Sequence, residues 1–452
     1  MTLDSQPQSI DEVLAALYAR RPENQIRPRL EPTRRLVEMM GNPQNNYKVI
    51  HITGTNGKSS TARIIERLLR EHGLRTGRLT SPHLVSFNER IALDGEPVDD
   101  QLIIEAYQEN LVLLELVDQE LTDKGEGPLT FFEAFTALAF HVFSDAPIDV
   151  LVLEVGIGGE WDATNVADAD VAVFTAIDLD HQETLGGTVE EIAQTKAGIT
   201  KPNSIVVSSF QQPGVASILR TRASQEVFMA GDEFGYSEIS PDGFGTRFSV
   251  QGIWAEYPEL WMPIIGQHQA ENAATAIVAT EAFLGRAIAD EVLRSALADA
   301  VSPGRLQVIS KQPLVVIDGA HNPAGLVSLR NTIQWHFGAP KAIGVVGMLR
   351  EKDIQSSAQE LIGVFDHLII TSAPGERGLP AFELTNSFSD EGLIVDEIVP
   401  DFWLAYEQAI RLGVSTDRPV FITGSLYLVG AVLERLQLEN SNISDQDGQE
   451  VE

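Results

Sequence analysis

Short runs of consecutive apolar residues alternate along the chain with longer stretches in which apolar residues recur every three or four positions. Residues 49–53 form such a run, and residues 59–72 follow with a helical spacing that ends at Gly73. Thr130 and Glu133 have the spacing of a capping box, which predicts a helix towards Phe143. Further buried strands are predicted at residues 149–155, 171–177 and 204–208. This alternation indicates a mainly parallel sheet with helices on both of its faces.

The same alternation restarts in the second half of the chain. An alanine-rich stretch at residues 269–285 has the pattern of a helix, and Ser302-Pro303-Gly304-Arg305 then interrupts the periodicity. New strands are predicted at residues 314–318, 342–346, 367–371 and 419–423. We therefore expect a domain boundary near residues 301–305. Residues 228–263 mix glycine, aromatic and alternating residues, which favours a small β excursion.

Composition narrows the class of protein. The 452 residues carry a net charge of −33 and include no cysteine, which excludes disulfides and thiolate sites. Such a charge repels nucleic acid and anionic membrane surfaces, so an anionic substrate would need a local basic pocket. Residues 1–11 lack the features of a signal peptide, and no apolar run reaches the roughly 18 residues of a membrane span. We expect a cytoplasmic protein, monomeric by default, with a disordered acidic tail at residues 439–452.

A glycine loop joins the first predicted strand to its helix: Gly54, Thr55, Asn56, Gly57, Lys58, Ser59 and Ser60. Backbone N–H groups at a helix N-terminus bind phosphate, and glycines let the backbone approach closely. Lys58 would then bridge the terminal phosphates, and a hydroxyl of Ser59 or Ser60 would reach Mg²⁺. The common pattern has a glycine where this chain has Ile52, so the loop is a shorter variant, and a structural turn is the alternative. The flanking strand and helix favour a phosphate loop.

Charged residues follow two other predicted strands, at the sheet edge where the glycine loop lies. Glu154 ends one strand, and Asp178, Asp180 and His181 follow another. Ligands of open parallel sheets bind at the carboxyl ends of the strands, so these groups should face Lys58. Glu154 and His181 are therefore candidate Mg²⁺ ligands, although Mg²⁺ prefers oxygen. Position alone leaves open a capping role for Glu154 and a hydrogen-bonding role for His181.

Motifs spread in one order over residues 26–430 resemble those of folylpolyglutamate synthases, including the bifunctional form that is also a dihydrofolate synthase, a branch of the Mur ligase superfamily. In the first half the motifs are Gly41-Asn42-Pro43-Gln44, the run from Val49 to Lys58, Thr80-Ser81-Pro82-His83-Leu84, Asn88-Glu89-Arg90, Glu154-Val155-Gly156-Ile157-Gly158-Gly159, Asp162-Ala163-Thr164-Asn165, Asp180-His181, Lys196-Ala197-Gly198-Ile199, Gly266-Gln267-His268-Gln269 and Asn272-Ala273. In the second half they are Pro303-Gly304-Arg305, Asp318-Gly319-Ala320-His321-Asn322-Pro323, Gly347-Met348-Leu349, Lys352-Asp353 and Gly424-Ser425-Leu426-Tyr427. The Ser-Pro-His and His-Asn-Pro elements favour the folate branch over the cell-wall branch.

The resemblance implies ATP ligands in both halves of the chain, together with two Mg²⁺ sites. The positions that match ATP ligands are Gly54, Thr55, Asn56, Gly57, Lys58, Ser59, Ser60, Thr61, Asn272, Arg305 and Asp318. Those that match metal ligands are Ser60, Ser81, Glu154, His181 and, as a carbamate, Lys196. The family usually has glycine where Ser59 stands, so the metal-facing hydroxyl falls to Ser60.

Catalytic roles are implied for Lys58, Lys196 and His321. A carbamate would turn the Lys196 cation into an oxygen-donor anion that can hold the second Mg²⁺. Without the resemblance, Lys196 would be a solvated surface lysine. His321 matches a histidine near the reacting phosphate, and capping of the following turn is the alternative for it.

The resemblance also implies a pterin pocket built from three segments. The matching positions are Ile26, Arg27, Pro28, Thr130, Phe131, Phe132, Glu133, Trp161, Asp162 and Ala163. Phe131, Phe132 and Trp161 would stack on a pterin ring, and core aromatics are the alternative. Glu160 stands where the family often has arginine, so an anion contact at this position is not carried over.

The expected protein is thus an α/β, ATP-dependent ligase. Residues 1–301 would form a P-loop NTPase-like, mainly parallel sheet domain that binds ATP and the pterin, and residues 302–438 a smaller Rossmann-like α/β C-terminal ligase domain. ATP would convert a carboxylate of dihydropteroate or a folate into an acyl phosphate, which the amine of L-glutamate attacks.

The sequence leaves four alternatives to this function. They are a monofunctional folylpolyglutamate synthase, another Mur-type amino-acid ligase, a nucleotide switch and an inactive scaffold. Thr195-Lys196-Ala197-Gly198 lacks the final acid of the guanine-reading Asn-Lys-x-Asp motif, which argues against the switch. The intact set of Lys58, Glu154, His181 and Lys196 argues against the scaffold.

Overall fold

The structure is a computed structural model that describes residues 7–22, 27–338 and 341–447. Eight strands form its first large sheet: β1 (Lys48–Thr53), β2 (Thr76–Leu79), β3 (Ile91–Leu93), β4 (Glu96–Pro97), β5 (Val150–Glu154), β6 (Val171–Phe174), β7 (Ile205–Ser208) and β8 (Val227–Met229). Their order is β4-β3-β2-β5-β1-β6-β7-β8. From β2 to β8 in that order the strands pair in parallel, and β3 and β4 add antiparallel pairs at one edge. The predicted mainly parallel sheet is confirmed.

Helices cover both faces of this sheet. They are α1 (Ile10–Tyr18), α2 (Glu31–Met39), α3 (Lys58–Glu71), α4 (Asp100–Asp123), α5 (Phe131–Asp145), α6 (Gln182–Leu185), α7 (Val189–Ala197), α8 (Pro213–Arg222), α9 (Gln267–Leu284) and α10 (Asp290–Ala298). Ile50 and Ile52 of β1 pack with α3 and α9, whereas Val49 packs with α5, because successive strand residues point to opposite faces. Both faces of β1 are therefore buried.

A three-stranded antiparallel sheet follows the first large sheet in the chain. Its strands are β9 (Gly235–Asp242), β10 (Gly245–Gln251) and β11 (Glu256–Met262), in the order β11-β10-β9. The Tyr257 hydroxyl donates to the buried Glu281 carboxylate of α9 at 2.6 Å, which ties the small sheet to that helix. The predicted β excursion is confirmed.

A second large sheet has six strands: β12 (Gln307–Lys311), β13 (Leu314–Ile317), β14 (Ile343–Val346), β15 (His367–Ile370), β16 (Glu397–Ile398) and β17 (Val420–Thr423). Their order is β12-β13-β17-β14-β15-β16, with β12 antiparallel and the other pairs parallel. Its helices are α11 (Pro323–Phe337), α12 (Ile354–Leu361), α13 (Ala381–Asp390), α14 (Phe402–Thr416) and α15 (Leu426–Asp447). We call the elements up to α10 the first unit and those from β12 onward the second unit. Domain boundaries at residues 301 and 438 stay a prediction.

The end of the chain differs from expectation. Helix α15 runs to Asp447 and so enters the segment 439–452, for which the sequence predicts disorder. Once a helix has started, each further residue adds one hydrogen bond, so a polar continuation can remain helical. Residues 448–452 lie outside the described part. Within the ranges described, no helix is long and apolar enough to cross a membrane.

Candidate active site

The carboxyl ends of β1, β5 and β6 open onto one cavity of about 950 Å³, to which the second unit also contributes side chains. It brings together most of the predicted site residues: Gly54, Thr55, Asn56, Gly57, Lys58, Ser59, Ser60, Ser81, Glu154, His181, Lys196, Asn272, Arg305, Asp318 and His321, with Arg27, Thr130, Phe132, Glu133, Trp161, Asp162 and Ala163. Among the predicted residues, Pro28, Thr61 and Phe131 do not line it, and Ile26 lies outside the described residues.

The glycine loop is shaped by contacts that leave no room for side chains at two positions. A Cβ atom on Gly54 would collide with the Thr175 hydroxyl, and one on Gly57 would collide with the Asn272 side chain. Gly57 also has a φ of 91°, in the left-handed region that favours glycine. The loop therefore lies close to β6 and α9, and the N-terminus of α3 opens into the cavity.

Lys58 begins α3 and closes the loop on itself. Its Nζ donates to the carbonyl oxygens of Gly54 at 3.1 Å and Thr55 at 3.2 Å. Burial lowers the pKa of Lys58, and the nearby carboxylates Glu154 and Asp180 oppose that shift. The amine is thus held beside the N–H groups of the helix N-terminus, as a phosphate site requires.

The Glu154 carboxylate contacts the hydroxyl of Ser59 and not that of Ser60, and the metal role implied for Ser60 stays a prediction. The Ser59 hydroxyl donates to the Glu154 carboxylate at 2.8 Å, and the Ser81 N–H lies 3.4 Å from the same group. The Ser60 hydroxyl instead lies 2.8 Å from that of Ser302. Adjacent helical residues point about 100° apart, so the two serines cannot both face Glu154. Burial raises the pKa of Glu154, and Lys58 opposes that shift.

Lys196 is buried at the end of α7, not solvated at the surface. Its Nζ donates to the Gly54 carbonyl oxygen at 2.7 Å, so it reaches the base of the glycine loop. Burial, assisted by the charge of Lys58, lowers the pKa of Lys196 to about 7. A neutral amine is therefore present in a large fraction of molecules at neutral pH.

Asp180 links the two units inside the cavity. Its carboxylate lies 3.4 Å from Lys352 Nζ and accepts from the Asn322 amide at 3.1 Å. Asn322 also bonds Asn56 of the glycine loop, at 3.2 Å. Burial alone would raise the pKa of Asp180, but Lys352, with neighbouring histidines, lowers it below its usual range. The sequence predicts an ATP-binding role for Asn56 and a place for Asp180 at the sheet edge that faces Lys58, whereas Asn322 and Lys352 lie within the quoted motifs without a predicted role.

The two predicted histidines are both neutral at pH 7. Burial lowers the pKa of His181 to about 4, and its Nε2 lies 3.9 Å from Asp180. Burial also lowers the pKa of His321 to about 3, and its Nδ1 lies 2.7 Å from the Gly319 carbonyl oxygen. The side chain that caps α11 is Asn322, which accepts from the Gly325 N–H. The capping alternative for His321 is therefore excluded.

Two predicted aromatic residues, Phe132 and Trp161, line the cavity. Phe131 is 2% exposed and stacks in the core between Tyr18 and Phe135, so the core-aromatic alternative describes it. The Glu160 side chain is exposed and does not line the cavity.

Glu133, at the start of α5, is held by two partners. Its carboxylate accepts two bonds from Arg29, at 2.7 and 2.8 Å, and one from the Thr130 N–H. This carboxylate therefore fixes the start of α5.

The cavity wall carries more carboxylates than cations. Among the described residues, nine Asp or Glu and seven Lys or Arg line it. The basic side chains come from both units: Arg27, Arg29, Lys58, Lys196, Arg305, Lys352 and Arg377. The basic pocket expected for an anionic substrate is thus not supplied by side chains alone, and a divalent metal would complement the wall.

Comparison with known proteins gives matches to both units. Residues 52–280 match the Mur ligase middle domain, and residues 304–426 match the Mur ligase glutamate ligase domain. In an alignment 458 positions long, the chain is 36% identical to a dihydrofolate synthase/folylpolyglutamate synthase of Mycobacterium tuberculosis. The alignment covers 94% of this chain and 93% of that protein. Over 410 residues it is 35% identical to a folylpolyglutamate synthase of Lacticaseibacillus casei, covering 89% of this chain and 92% of that protein.

The chain is also similar to a solved structure of a folylpolyglutamate synthase. A crystal structure of Mycobacterium tuberculosis folylpolyglutamate synthase complexed with ADP and AMPPCP has a TM-score of 0.87 at 35% identity. The match covers 94% of this chain and 97% of that chain.

Proposed function

Because the chain belongs to the Mur ligase family, we propose that it is a bifunctional enzyme that joins L-glutamate to dihydropteroate as well as to folates. Its ATP-dependent ligation of glutamate to folates follows from its folylpolyglutamate synthase relatives, and the resemblance inferred from the motifs is confirmed. Use of dihydropteroate is the additional step. A relative named dihydrofolate synthase/folylpolyglutamate synthase, 36% identical to this chain, supports that step. The ligase chemistry itself rests on one cavity in which Lys58 of the first unit lies with Arg305 and Lys352.

The geometry suits transfer of a phosphoryl group to a carboxylate. A carboxylate oxygen of the acceptor takes the γ-phosphoryl group, ADP leaves, and an acyl phosphate results. The phosphoryl group spreads negative charge over its oxygens during transfer, and Lys58 with the N–H groups of α3 would stabilise that charge. The amine of glutamate then attacks the acyl carbon, loses a proton, and expels phosphate to leave the amide.

Contacts between the units would couple closure of the cavity to this chemistry. Asn322 bonds Asn56 of the glycine loop, and Lys352 pairs with Asp180. These contacts form only when the second unit lies against the loop, which is also the arrangement that excludes water. Exclusion matters because water would hydrolyse an acyl phosphate.

The residues present fit a Mg²⁺ ion delivered with ATP. Glu154 and Ser59 offer oxygen atoms as metal ligands beside the glycine loop, Ser81 also lines the cavity, and the acid-rich wall favours a cation. When bound, Mg²⁺ would neutralise phosphate charge. Among the described residues, three His or carboxylate ligand atoms converge at Glu109, His141 and Asp145, outside the cavity. The described cavity residues include no such group of three. Such a site suits Mg²⁺, which keeps water and phosphate ligands.

We also propose that Lys196 carries a carbamate, as its place in the family pattern implies. The side chain is buried against the glycine loop, and no carboxylate is among its hydrogen-bond partners in the described residues. Its neutral amine would add to CO₂ and release one proton, and the remaining N–H could still donate to Gly54. A cytoplasmic location and a monomeric state stay predictions.

Acceptor specificity tests the proposed function. Purified protein with ATP, Mg²⁺ and glutamate is offered dihydropteroate, then tetrahydrofolate, and ADP release is measured with the products identified by mass. We expect one added glutamate with the first acceptor and successive additions with the second. Turnover with tetrahydrofolate alone would make the enzyme monofunctional, and turnover with neither would refute folate ligation.

Replacing Ser59 and replacing Ser60 should affect the Mg²⁺ dependence of activity differently. Ser59→Ala should raise the Mg²⁺ concentration for half-maximal activity about tenfold, because Ser59 contacts Glu154 and groups around a metal tune its affinity. Ser60→Ala removes a hydroxyl bonded to Ser302 and should leave the Mg²⁺ dependence within about twofold. Mn²⁺ binding with ADP, followed by electron paramagnetic resonance, gives a second measurement. A shift in Ser60→Ala alone would restore the metal role to Ser60.

A further inference from the structure

His51 is a polar residue at the centre of a buried strand. It lies in β1 with 0% exposure, and it shares the strand face of Val49 and Thr53. Its neighbours along β1, Val49, Ile50 and Ile52, are buried aliphatic side chains. An imidazole in such a place is costly unless its polar atoms find partners. What His51 bonds therefore explains why it is there.

The hydrogen bonds of His51 have a direction that the network determines. The Thr164 hydroxyl lies 2.5 Å from an Asp162 carboxylate oxygen, which also accepts from the Thr164 N–H at 3.0 Å. A carboxylate accepts, so the hydroxyl proton points to Asp162. The Thr164 oxygen, 2.9 Å from His51 Nε2, must then accept from the imidazole. His51 is thereby assigned the tautomer with the proton on Nε2.

The other ring nitrogen has no hydrogen-bond partner among the described residues. Nδ1 of His51 is buried and unpaired, which is unfavourable. A leucine of similar size would fill the same space without that loss. The bond from Nε2 to Thr164 is thus the feature that distinguishes histidine from an aliphatic residue here. Burial lowers the pKa of His51 to about 3, so the ring stays neutral.

Beyond Thr164, the network holds the loop of residues 156–164, which lines the cavity. The second Asp162 oxygen accepts from the Ile157 N–H at 3.0 Å, which closes the loop of residues 156–164 across itself. Thr53, on the same face of β1, donates to the Gly158 carbonyl oxygen at 2.8 Å. The loop is therefore fastened to β1 at two points, and it carries Trp161 and Asp162 into the cavity.

We propose that His51 is a positioning residue for the pterin-bearing acceptor, acting through Thr164 and Asp162. The inference rests on the proposed function, since it takes the wall at residues 161–163 as the surface that the pterin contacts. His51 itself does not line the cavity. Its role is to hold the Asp162 carboxylate and the adjoining Trp161 ring in the orientation that the acceptor meets.

The test compares two replacements that differ in one hydrogen bond. His51→Leu keeps the volume and loses the donor, whereas His51→Gln keeps an N–H donor. Titration calorimetry measures the Kd of dihydropteroate and of tetrahydrofolate with a non-hydrolysable ATP analogue, and the Kd of ADP separately. We expect His51→Leu to weaken both acceptors about tenfold and ADP by less than about twofold. His51→Gln should recover most of the acceptor affinity.

Two further variants separate positioning from stability. The double variant Thr164→Val/His51→Leu should bind the acceptors no more weakly than the single variant with the higher acceptor Kd. The reason is that both changes break the same chain of hydrogen bonds. Thr136→Val removes a buried hydroxyl on α5 that, unlike the Thr164 hydroxyl, has no hydrogen-bond partner among the described residues, and it should leave acceptor Kd unchanged. Thermal denaturation is followed for every variant.

The outcomes are distinct. Unchanged acceptor affinity in His51→Leu would refute the positioning role, as would equal losses for the acceptors and ADP. If His51→Leu and His51→Gln lose equal acceptor affinity, in proportion to their loss of Tm, His51 only stabilises the core. A wild-type protein that binds neither acceptor would overturn the proposed function itself, and with it this inference.

Discussion

Lys58→Ala is expected to lower kcat/KM for glutamate ligation about 10³-fold while leaving the fold intact. Lys58 Nζ bonds only the carbonyl oxygens of Gly54 and Thr55 in the described structure, so its loss removes little packing. In the reaction the same amine would face the transferring phosphoryl group, where one fixed donor is worth about 10²–10³ in rate. The full charge of a phosphate-loop lysine belongs at the upper end of that range. Steady-state ADP release and circular dichroism measure the two effects.

A matched lysine serves as the control for that variant. Lys48 begins β1, with a side chain 67% exposed and paired with Asp170 at 2.9 Å. Lys48→Ala should change kcat/KM by less than about twofold, since exposed ion pairs contribute little. Lys58→Arg adds a further comparison, because it keeps the charge and changes the shape of the donor. Turnover of Lys58→Ala within about tenfold of wild type would contradict the phosphate-loop assignment.

The strands that can be predicted from the sequence are those made mainly of apolar residues. Strands β1, β5 and β6 consist mainly of buried apolar residues, and their positions follow from that pattern. Strand β2 is central in the sheet yet was not predicted, because it includes Thr76 and Arg78. Both side chains are buried beside Glu66 of α3, whose carboxylate accepts from the Thr76 hydroxyl at 2.7 Å and from the Arg78 guanidinium at 3.1 Å. Glu66 cannot be identified as the partner from periodicity, because a buried ion pair and an exposed one consist of the same residue types.

The site shows a similar division. The glycine loop and the carboxyl ends of strands place Lys58 and Glu154 together, because parallel strands end at one edge. The contacts of Asp180 with Lys352 and Asn322 join residues 172 and 142 positions apart. They depend on how the second unit packs on the first, which no local pattern encodes. The choice between Ser59 and Ser60 likewise depends on the rotation of α3.

Lys196→Ala should lower kcat about 10²-fold, because the carbamate would supply an anionic oxygen ligand to a Mg²⁺ ion that neutralises the phosphates. Lys201→Ala is the matched control. Its side chain is 21% exposed and donates to the Asn165 carbonyl oxygen, away from the cavity wall. That variant should keep kcat within about twofold. Equal losses in the two variants would show that Lys196 supports the fold and not the reaction.

The carbamate itself can be observed without turnover. Protein equilibrated with ¹³C-labelled bicarbonate and Mg²⁺ should give a carbamate ¹³C resonance that is present in Lys201→Ala and lost in Lys196→Ala. Only the neutral amine adds CO₂, and the pKa of Lys196, lowered to about 7 by burial and Lys58, makes this form abundant. Lowering the pH from about 8 to 6 cuts the neutral fraction from about nine-tenths to one-tenth, so the resonance should fade. Absence of the signal at pH 8, or its persistence in Lys196→Ala, would refute the modification, and Lys196 would then act at the glycine loop as an amine.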